Sequence, residues 1–296
     1  MSTETIVYFD GKFKYYSQVH VGLLSNSLNF WTWLIDSVRL LRNDKEVFSI
    51  GLERYIERFL EAAKNYIYPF HIEFSDFQEI IIKLLKLNKD LAFPYMRLIL
   101  FQGDASLNFS RERKDFHFAI IPLSLKVQQV SGLCLVFSEY YRDKSSSYKH
   151  KFSHHYGKNL YHIEKQWLNS PEDIVVFLDQ DSNILECISE NIFFIKGRHV
   201  LTPRDDHILR WVNREIIISL LRENQYDVFE QDINKEDIKD FDEIILSWSA
   251  TGVRNIEHVW DHTFLKKETW NKIRQFYEES YYERSQIGNL KISRLI

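Results

Sequence analysis

Cysteine is scarce in this 296-residue chain: there are two, Cys134 and Cys187, and no Cys-x-x-Cys pair. Two thiols cannot build a disulfide framework, so a reducing cytoplasm is the expected setting. Glycine numbers nine, scattered along the chain, and neither Gly-x-Gly-x-x-Gly nor Gly-x-x-x-x-Gly-Lys-[Ser/Thr] occurs. That argues against nucleotide enzymes of the dinucleotide-binding and P-loop kinds. Apolar runs stop well short of a membrane span, and Met1 to Phe13 has no apolar signal core, so a soluble cytoplasmic protein is expected. Nor is there a basic stripe. A formal net charge of −4 makes nucleic acid and membranes poor partners and leaves small molecules. The histidines around position 150 have neither a His-Glu-x-x-His frame nor cysteine partners, so no metal is expected.

What is present suits a well-packed globular protein: 45% hydrophobic, 15% aromatic and 27% charged residues. The length predicts two domains. Ile6 to Tyr16 alternate around Asp10-Gly11, a tight hairpin signal, and Asn43-Asp44 suggests a second hairpin between Ser37–Leu41 and Val47–Ile50. Leu52, Ile56, Phe59, Leu60 and Ala63 recur at helical spacing, with Arg54 and Arg58 one turn apart. Ser75 and Gln78 form a capping-box pattern before another amphipathic run. Strands are expected at Ala92–Leu100 and Phe116–Leu123, then a polar linker between Ser124 and Gly132. Beyond it come strands near 133–140, 174–178, 184–187, 192–196, 227–230, 243–247 and 255–260. Helices are expected near 156–167, 208–222 and 268–283. Strict βαβ alternation is missing, which favours α+β with mostly antiparallel sheets.

Two stretches could carry chemistry. Tyr148 to Tyr156 gathers Lys149, His150, Lys151, His154 and His155 at a strand-to-helix transition. A lysine that attacks a carbonyl carbon needs desolvation to lower its pKa, and a nearby phenol can tune the imine it forms. On its own the stretch also reads as a solvated basic loop. In Leu185 to Phe194, alternation puts Glu186 on the face of Ile184, an interior position where a carboxylate needs a cation or donor. That motif alone also fits a salt-bridged turn.

In order along the chain, these residues resemble the class IV aminotransferases, the branched-chain and D-amino-acid type. Leu28 to Arg39 is similar to the family's Leu-His-Tyr-Gly-x-Gly-x-Phe-Glu-Gly-Ile-Arg segment, and Tyr55 to Ala63 to its arginine-bearing helix. Tyr95-Met96-Arg97 with Phe101-Gln102-Gly103-Asp104 resembles the branched-chain branch. Lys151 followed by Tyr156, the run from Glu186 to Phe193, Leu201-Thr202-Pro203, Asp242-Glu243 and Ser249-Ala250 follow in the family's order. The resemblance covers about residues 6 to 283. It implies a two-domain α+β fold: a smaller N-terminal α/β domain (1–127), a linker (128–132), and a larger cofactor-binding domain (133–296) with a β-barrel-like sheet core and flanking helices.

It implies pyridoxal 5′-phosphate as cofactor, held as a Schiff base by Lys151. Glu186 would keep the pyridine nitrogen protonated and Tyr156 would donate to the phenolate oxygen. Arg58, the backbone amides of Val212 and Asn213, and the Ser249 hydroxyl would take the phosphate. Phe30, Tyr95, Arg97 and Ala250 would form the substrate pocket. The implied activity is amino-group transfer between a branched-chain-like amino acid and a 2-oxo acid, in a homodimer. The same fold serves aminodeoxychorismate lyase, which releases pyruvate, and Glu186-Cys187 resembles that branch; a divergent, non-catalytic homologue is the third reading. Three indoles depart from the pattern: Trp31, Trp33 and Trp211 stand where the family usually has glycine, and they either reshape the backbone or fill the cavity. Asn213 stands for threonine, Asn29 for histidine and Asp36 for glutamate.

Overall fold

The computed structural model describes residues 4–44, 46–103, 115–125, 131–165, 173–278 and 281–296. Asp104 and most of the expected linker, through Val130, lie outside the described residues, as does the end of the helix expected to reach Trp167. The chain forms two compact units. The first comprises Met1–Lys126, His150–His155 and Lys291–Ile296, and the second Val127–Lys149 and Tyr156–Leu290. Lys151 therefore belongs to the first unit although it follows the linker in sequence.

In the first unit, Ile6–Phe9 and Lys12–Tyr15 pair around Asp10 and Gly11, both at positive φ (48° and 80°), as a two-residue hairpin turn requires. The sheet continues through Phe116–Ser124 and Pro94–Gln102 to Leu34–Arg39. The Asn43-Asp44 hairpin is smaller than expected: Leu41–Arg42 pairs with Val47–Ile50, whereas Ser37 belongs to the strand that pairs with Pro94–Gln102. The carboxyl-terminal strand Leu290–Arg294, which local pattern did not announce, adds to Val47–Ile50. A short helix α1 spans Asn26–Phe30; α2, Leu52–Asn65, packs on Leu34–Arg39, and α3, Phe74–Leu87, on Ile6–Phe9. The capping box at Ser75 is not used. α3 starts two residues earlier than such a cap would set it, at Phe74, with Glu73 at its N-cap, which makes no side-chain cap bond.

The second unit holds two five-stranded sheets. One runs from Ile184–Cys187 through Asp173–Leu178 and Cys134–Tyr141 to His258–Val259 and His262–Thr263. The other runs from Asp227–Glu230 through His199–Thr202, Asn191–Lys196 and Glu243–Trp248 to Gly252–Ile256. Both bury their inner faces in one core that includes Leu135, Val176, Ile192, Phe194, Ile244 and Val259. The strand expected at 255–260 is broken at Glu257, whose two flanking segments join different sheets. Three helices complete the architecture: α4 (Ser153–Lys165, whose first three residues belong to the first unit), α5 (Val212–Glu223) and α6 (Glu268–Glu278). α5 begins four residues later than the apolar pattern suggests, because Ile208 to Trp211 lead into it as non-helical chain. α6 ends at Glu278 rather than Glu283. The α+β class and the predominance of antiparallel pairing are as the sequence led us to expect. Among the described residues no helix is long and apolar enough to cross a membrane.

Candidate active site

In the first unit Lys151 is fixed by its backbone: its carbonyl accepts from the Ile35 amide at 3.1 Å, and Phe152 bridges Leu34. The next residue, Ser153, donates its amide to the Trp33 carbonyl and its hydroxyl to the Trp31 carbonyl. The Lys151 side chain is only 4% exposed. Burial pushes its pKa down from the ordinary lysine value to about 7; Arg58 and Arg97 push the same way and Asp36 opposes them. A substantial share of this amine is therefore neutral and nucleophilic near neutrality, as a solvated lysine is not.

Asp36, on the strand that flanks Lys151, is gripped by Arg58 of α2: Nε to Oδ2 at 2.9 Å and Nη2 to Oδ1 at 2.5 Å, with both side chains buried. The pairing satisfies the carboxylate and holds a guanidinium beside the amine. Tyr95 and Arg97 alternate onto one face of the adjacent strand. Tyr95 is buried and its phenol pKa is raised by burial, while Arg97 is half-buried. Phe30 ends α1 and is exposed at 37%. Trp31, one of the indoles at a glycine position, takes a left-handed backbone (φ 53°, ψ 40°). The conformation that glycine supplies cheaply is thus kept by a tryptophan.

In the second unit Glu186 lies on a short strand whose register shifts between Ile184 and Cys187, and all four of its residues are buried. Burial raises the Glu186 pKa, and its donors pull it back. Arg142 Nη1 donates to Oε1 at 2.9 Å; the Leu209 amide lies 3.2 Å from each oxygen; Trp211 Nε1 donates to Oε2 at 3.2 Å, and Asn191 Nδ2 reaches the same oxygen at 3.4 Å. Arg142 is itself locked, donating to the His207 carbonyl at 2.9 Å and lying 4.2 Å from the Tyr148 ring centroid. Sequence reasoning missed Arg142. It demanded a cation for a buried carboxylate, but the one that serves lies 44 residues away, just past the end of the strand Cys134–Tyr141, and carries no local signal.

At the start of α5, Val212 and Asn213 are buried. Asn213 accepts from the Tyr277 hydroxyl at 2.9 Å, and its Nδ2 has no partner. The turn that follows the strand Glu243–Trp248, on which α5 packs, holds two more unpartnered buried hydroxyls, Ser249 Oγ and Thr251 Oγ1, and the buried Ala250. Buried donors of this kind normally find partners. The unpaired amides and dipole at the start of a 12-residue helix, with the unpartnered Asn213 Nδ2 in its first turn, suit an anion. Thr251 was not anticipated. Tyr156 is half-buried in the first turn of α4.

The pattern of the family "Amino-transferase class IV" matches residues 33–259. A "probable branched-chain-amino-acid aminotransferase" of Rickettsia conorii is 24% identical over 86% of each chain. An aminodeoxychorismate lyase of Bacillus subtilis is 32% identical over 56% of this chain and 58% of its own length. Among solved structures, the branched-chain aminotransferase of Thermoproteus uzoniensis with norvaline superposes with a TM-score of 0.88 at 18% identity, covering 99% of both chains. A T.th. branched-chain amino acid aminotransferase with pyridoxamine 5′-phosphate gives 0.85 at 17% identity, covering 94% of each. The chain belongs to the class IV aminotransferase family.

Proposed function

We propose that the chain is a pyridoxal-phosphate-dependent aminotransferase acting on branched-chain-like amino acids and 2-oxo acids, with Lys151 as its catalytic lysine. One observation carries the reading: a fully packed lysine amine, held by its backbone against Leu34 and Ile35, with its pKa pushed down to about 7. The residues of the chain suit the cofactor. A neutral amine suits its aldehyde, the unpartnered Asn213 amide in the first turn of α5 and the unpartnered Ser249 and Thr251 hydroxyls after the strand Glu243–Trp248 suit its phosphate, and a buried carboxylate at Glu186 suits a protonated ring nitrogen.

When bound, pyridoxal phosphate supplies the aldehyde carbon that takes the amino group and the ring that accepts electrons as the substrate Cα loses its proton. Lys151 is the base for that proton. Glu186 keeps a proton on the ring nitrogen, and Arg142, by holding one carboxylate oxygen, orients it. Tyr156 donates to the phenolate oxygen. Arg58, the Val212 and Asn213 amides and the Ser249 hydroxyl bind the phosphate. Tyr95 and Arg97, with the Ala250 amide, receive the substrate carboxylate, and Phe30 walls the pocket. Homodimerisation is part of the proposal, supported by an exposed apolar patch in the first unit: Val21, Leu23, Leu24, Leu28 and Trp31 are all more than 40% exposed.

The test is a half-reaction. Loaded protein mixed with leucine, isoleucine or valine converts its visible spectrum to that of the pyridoxamine form and yields the matching 2-oxo acid; no conversion with any L- or D-amino acid contradicts the proposal. The lyase similarity gives a second reading weight. Pyruvate released from aminodeoxychorismate, with no amino-group transfer, selects it.

A further inference from the structure

The first turn of α5 is tied to α6 by a side-chain hydrogen bond. The Tyr277 hydroxyl donates to Asn213 Oδ1 at 2.9 Å, across 64 residues of sequence. Both side chains are buried, Asn213 completely and Tyr277 at 1% exposure. Asn213 Nδ2, by contrast, has no partner. A side-chain amide has one acceptor end and one donor end, and here the acceptor alone is satisfied. A buried donor left in this state costs stability unless a ligand or water takes it.

The acceptor end is held by a fixed point. α6 starts on the Glu243 carboxylate, which accepts the Thr269 and Trp270 amides at 3.0 and 3.1 Å, and the Trp270 indole N–H donates to the Val253 carbonyl at 3.1 Å. Thr269, Ile273 and Tyr277 recur at four-residue spacing as the buried face of the helix. Tyr277 thus stands on a helix anchored to the strands Glu243–Trp248 and Gly252–Ile256. Its grip on Oδ1 turns the nitrogen of Asn213 away from α6, as a donor at the start of a helix whose first amides have no partner within it. Flipping the amide would present an oxygen in place of that donor, and an anion at the helix start would repel it. The phenol and a bound anion therefore favour the same orientation. The next residue, Arg214, is engaged elsewhere: Nη2 donates to the Pro203 carbonyl at 2.7 Å and to Glu230 at 3.0 Å.

We propose that Tyr277 is a positioning residue for phosphate binding: by holding Asn213 Oδ1 it fixes the side-chain nitrogen of Asn213 as a donor to the cofactor phosphate. This rests on the cofactor reading above, in which the start of α5 takes the phosphate. It also gives a reason for the phenol beside an asparagine that stands where the family usually has threonine. A threonine hydroxyl rotates to donate, whereas an amide donates only with its nitrogen turned to the anion.

The experiment measures, in full-length protein stripped of cofactor, the dissociation constants of pyridoxal phosphate and of pyridoxal, which lacks the phosphate, from the visible band each forms. The preference for the phosphorylated ligand reports phosphate recognition alone. Tyr277→Phe keeps the ring and loses the hydroxyl; the preference is expected to fall about fivefold, with pyridoxal binding unchanged. Asn213→Ala is expected to lower it by at least about tenfold, and adding Tyr277→Phe to that variant should lower it no further, because the phenol acts through the amide. Asn213→Asp keeps an oxygen for Tyr277 and sets a second oxygen in place of the nitrogen. It should lose at least as much as Asn213→Ala, and it tests the donor even where Tyr277→Phe does not fold. An equal loss for both ligands in Tyr277→Phe, an unchanged preference in any single variant, or losses that add in the double variant would overturn the positioning role and leave the cofactor reading intact. If wild type forms no visible band with either ligand, the cofactor reading itself fails and the positioning role falls with it.

Discussion

Asp36 and Arg58 form a buried two-point ion pair, with N–O distances of 2.9 and 2.5 Å, next to the segment that carries Lys151. The pair sets the electrostatics of the lysine: Asp36 favours the ammonium, Arg58 and Arg97 the neutral amine, and burial outweighs them all.

Removing one partner of such a pair leaves a buried charge uncompensated, so Asp36→Asn is expected to cost about 3 kcal/mol in urea unfolding. It also removes the group that raises the lysine's pKa. The pH midpoint for cofactor loading is therefore expected to lie lower in the variant than in wild type. An unchanged midpoint would remove Asp36 from the lysine's surroundings.

Lys151→Met tests the burial cost itself. The folded pKa lies below the unfolded value, so between about 7 and 10.5 the unfolded chain binds more protons and the lysine's penalty falls as pH rises. Protein without cofactor should be stabilised by this substitution at pH 7 by a few kcal/mol, roughly 2–4, and by progressively less towards pH 10. Thermal unfolding of both forms across that range measures it, and a pH-independent difference would contradict the assignment.

Much of the first unit was legible locally. The Asp10-Gly11 hairpin and α2 follow from turn chemistry and a 3.6-residue period, both contained in a few neighbouring residues. What escaped depends on distant partners. The Leu290–Arg294 strand exists because Val47–Ile50 offers it an edge, and a Ser75 cap was unnecessary once α3 could begin at Phe74 against the sheet. The site shows the same division. Lys151 and Glu186 stood out by type and spacing, but Arg142 is recognisable only once Glu186 is seen buried beside it. Likewise Trp211 was legible as a departure from glycine, while its hydrogen bond to Glu186 belongs to the three-dimensional arrangement.

Glu186→Gln leaves Arg142 buried opposite a neutral amide. A loss of about 3 kcal/mol of stability is expected, together with a half-reaction slowed by about a hundredfold while the lysine adduct still forms. Single-turnover spectra would separate these effects; full-rate turnover would exclude Glu186 as the group that holds the ring proton.

Trp31 carries left-handed backbone without being glycine, and its side chain is half exposed, so little packing is lost when it is removed. Trp31→Gly is expected to gain about 1 kcal/mol in chemical unfolding. A loss of comparable size would show that the indole packs on something, a second subunit included.

The dimer proposal predicts that Leu23→Lys with Leu24→Lys, two exposed apolar positions, yields monomers in sedimentation velocity. A wild type that sediments as a monomer contradicts it.

The most direct measurement is chemical. Protein loaded with pyridoxal phosphate is reduced with borohydride, digested and mapped by mass spectrometry. The phosphopyridoxyl mass should fall on the peptide containing Lys151 and at that residue. A label confined to Lys149 or to surface lysines, or no stable label after reduction, would contradict the claim that this buried amine is the one the chemistry uses.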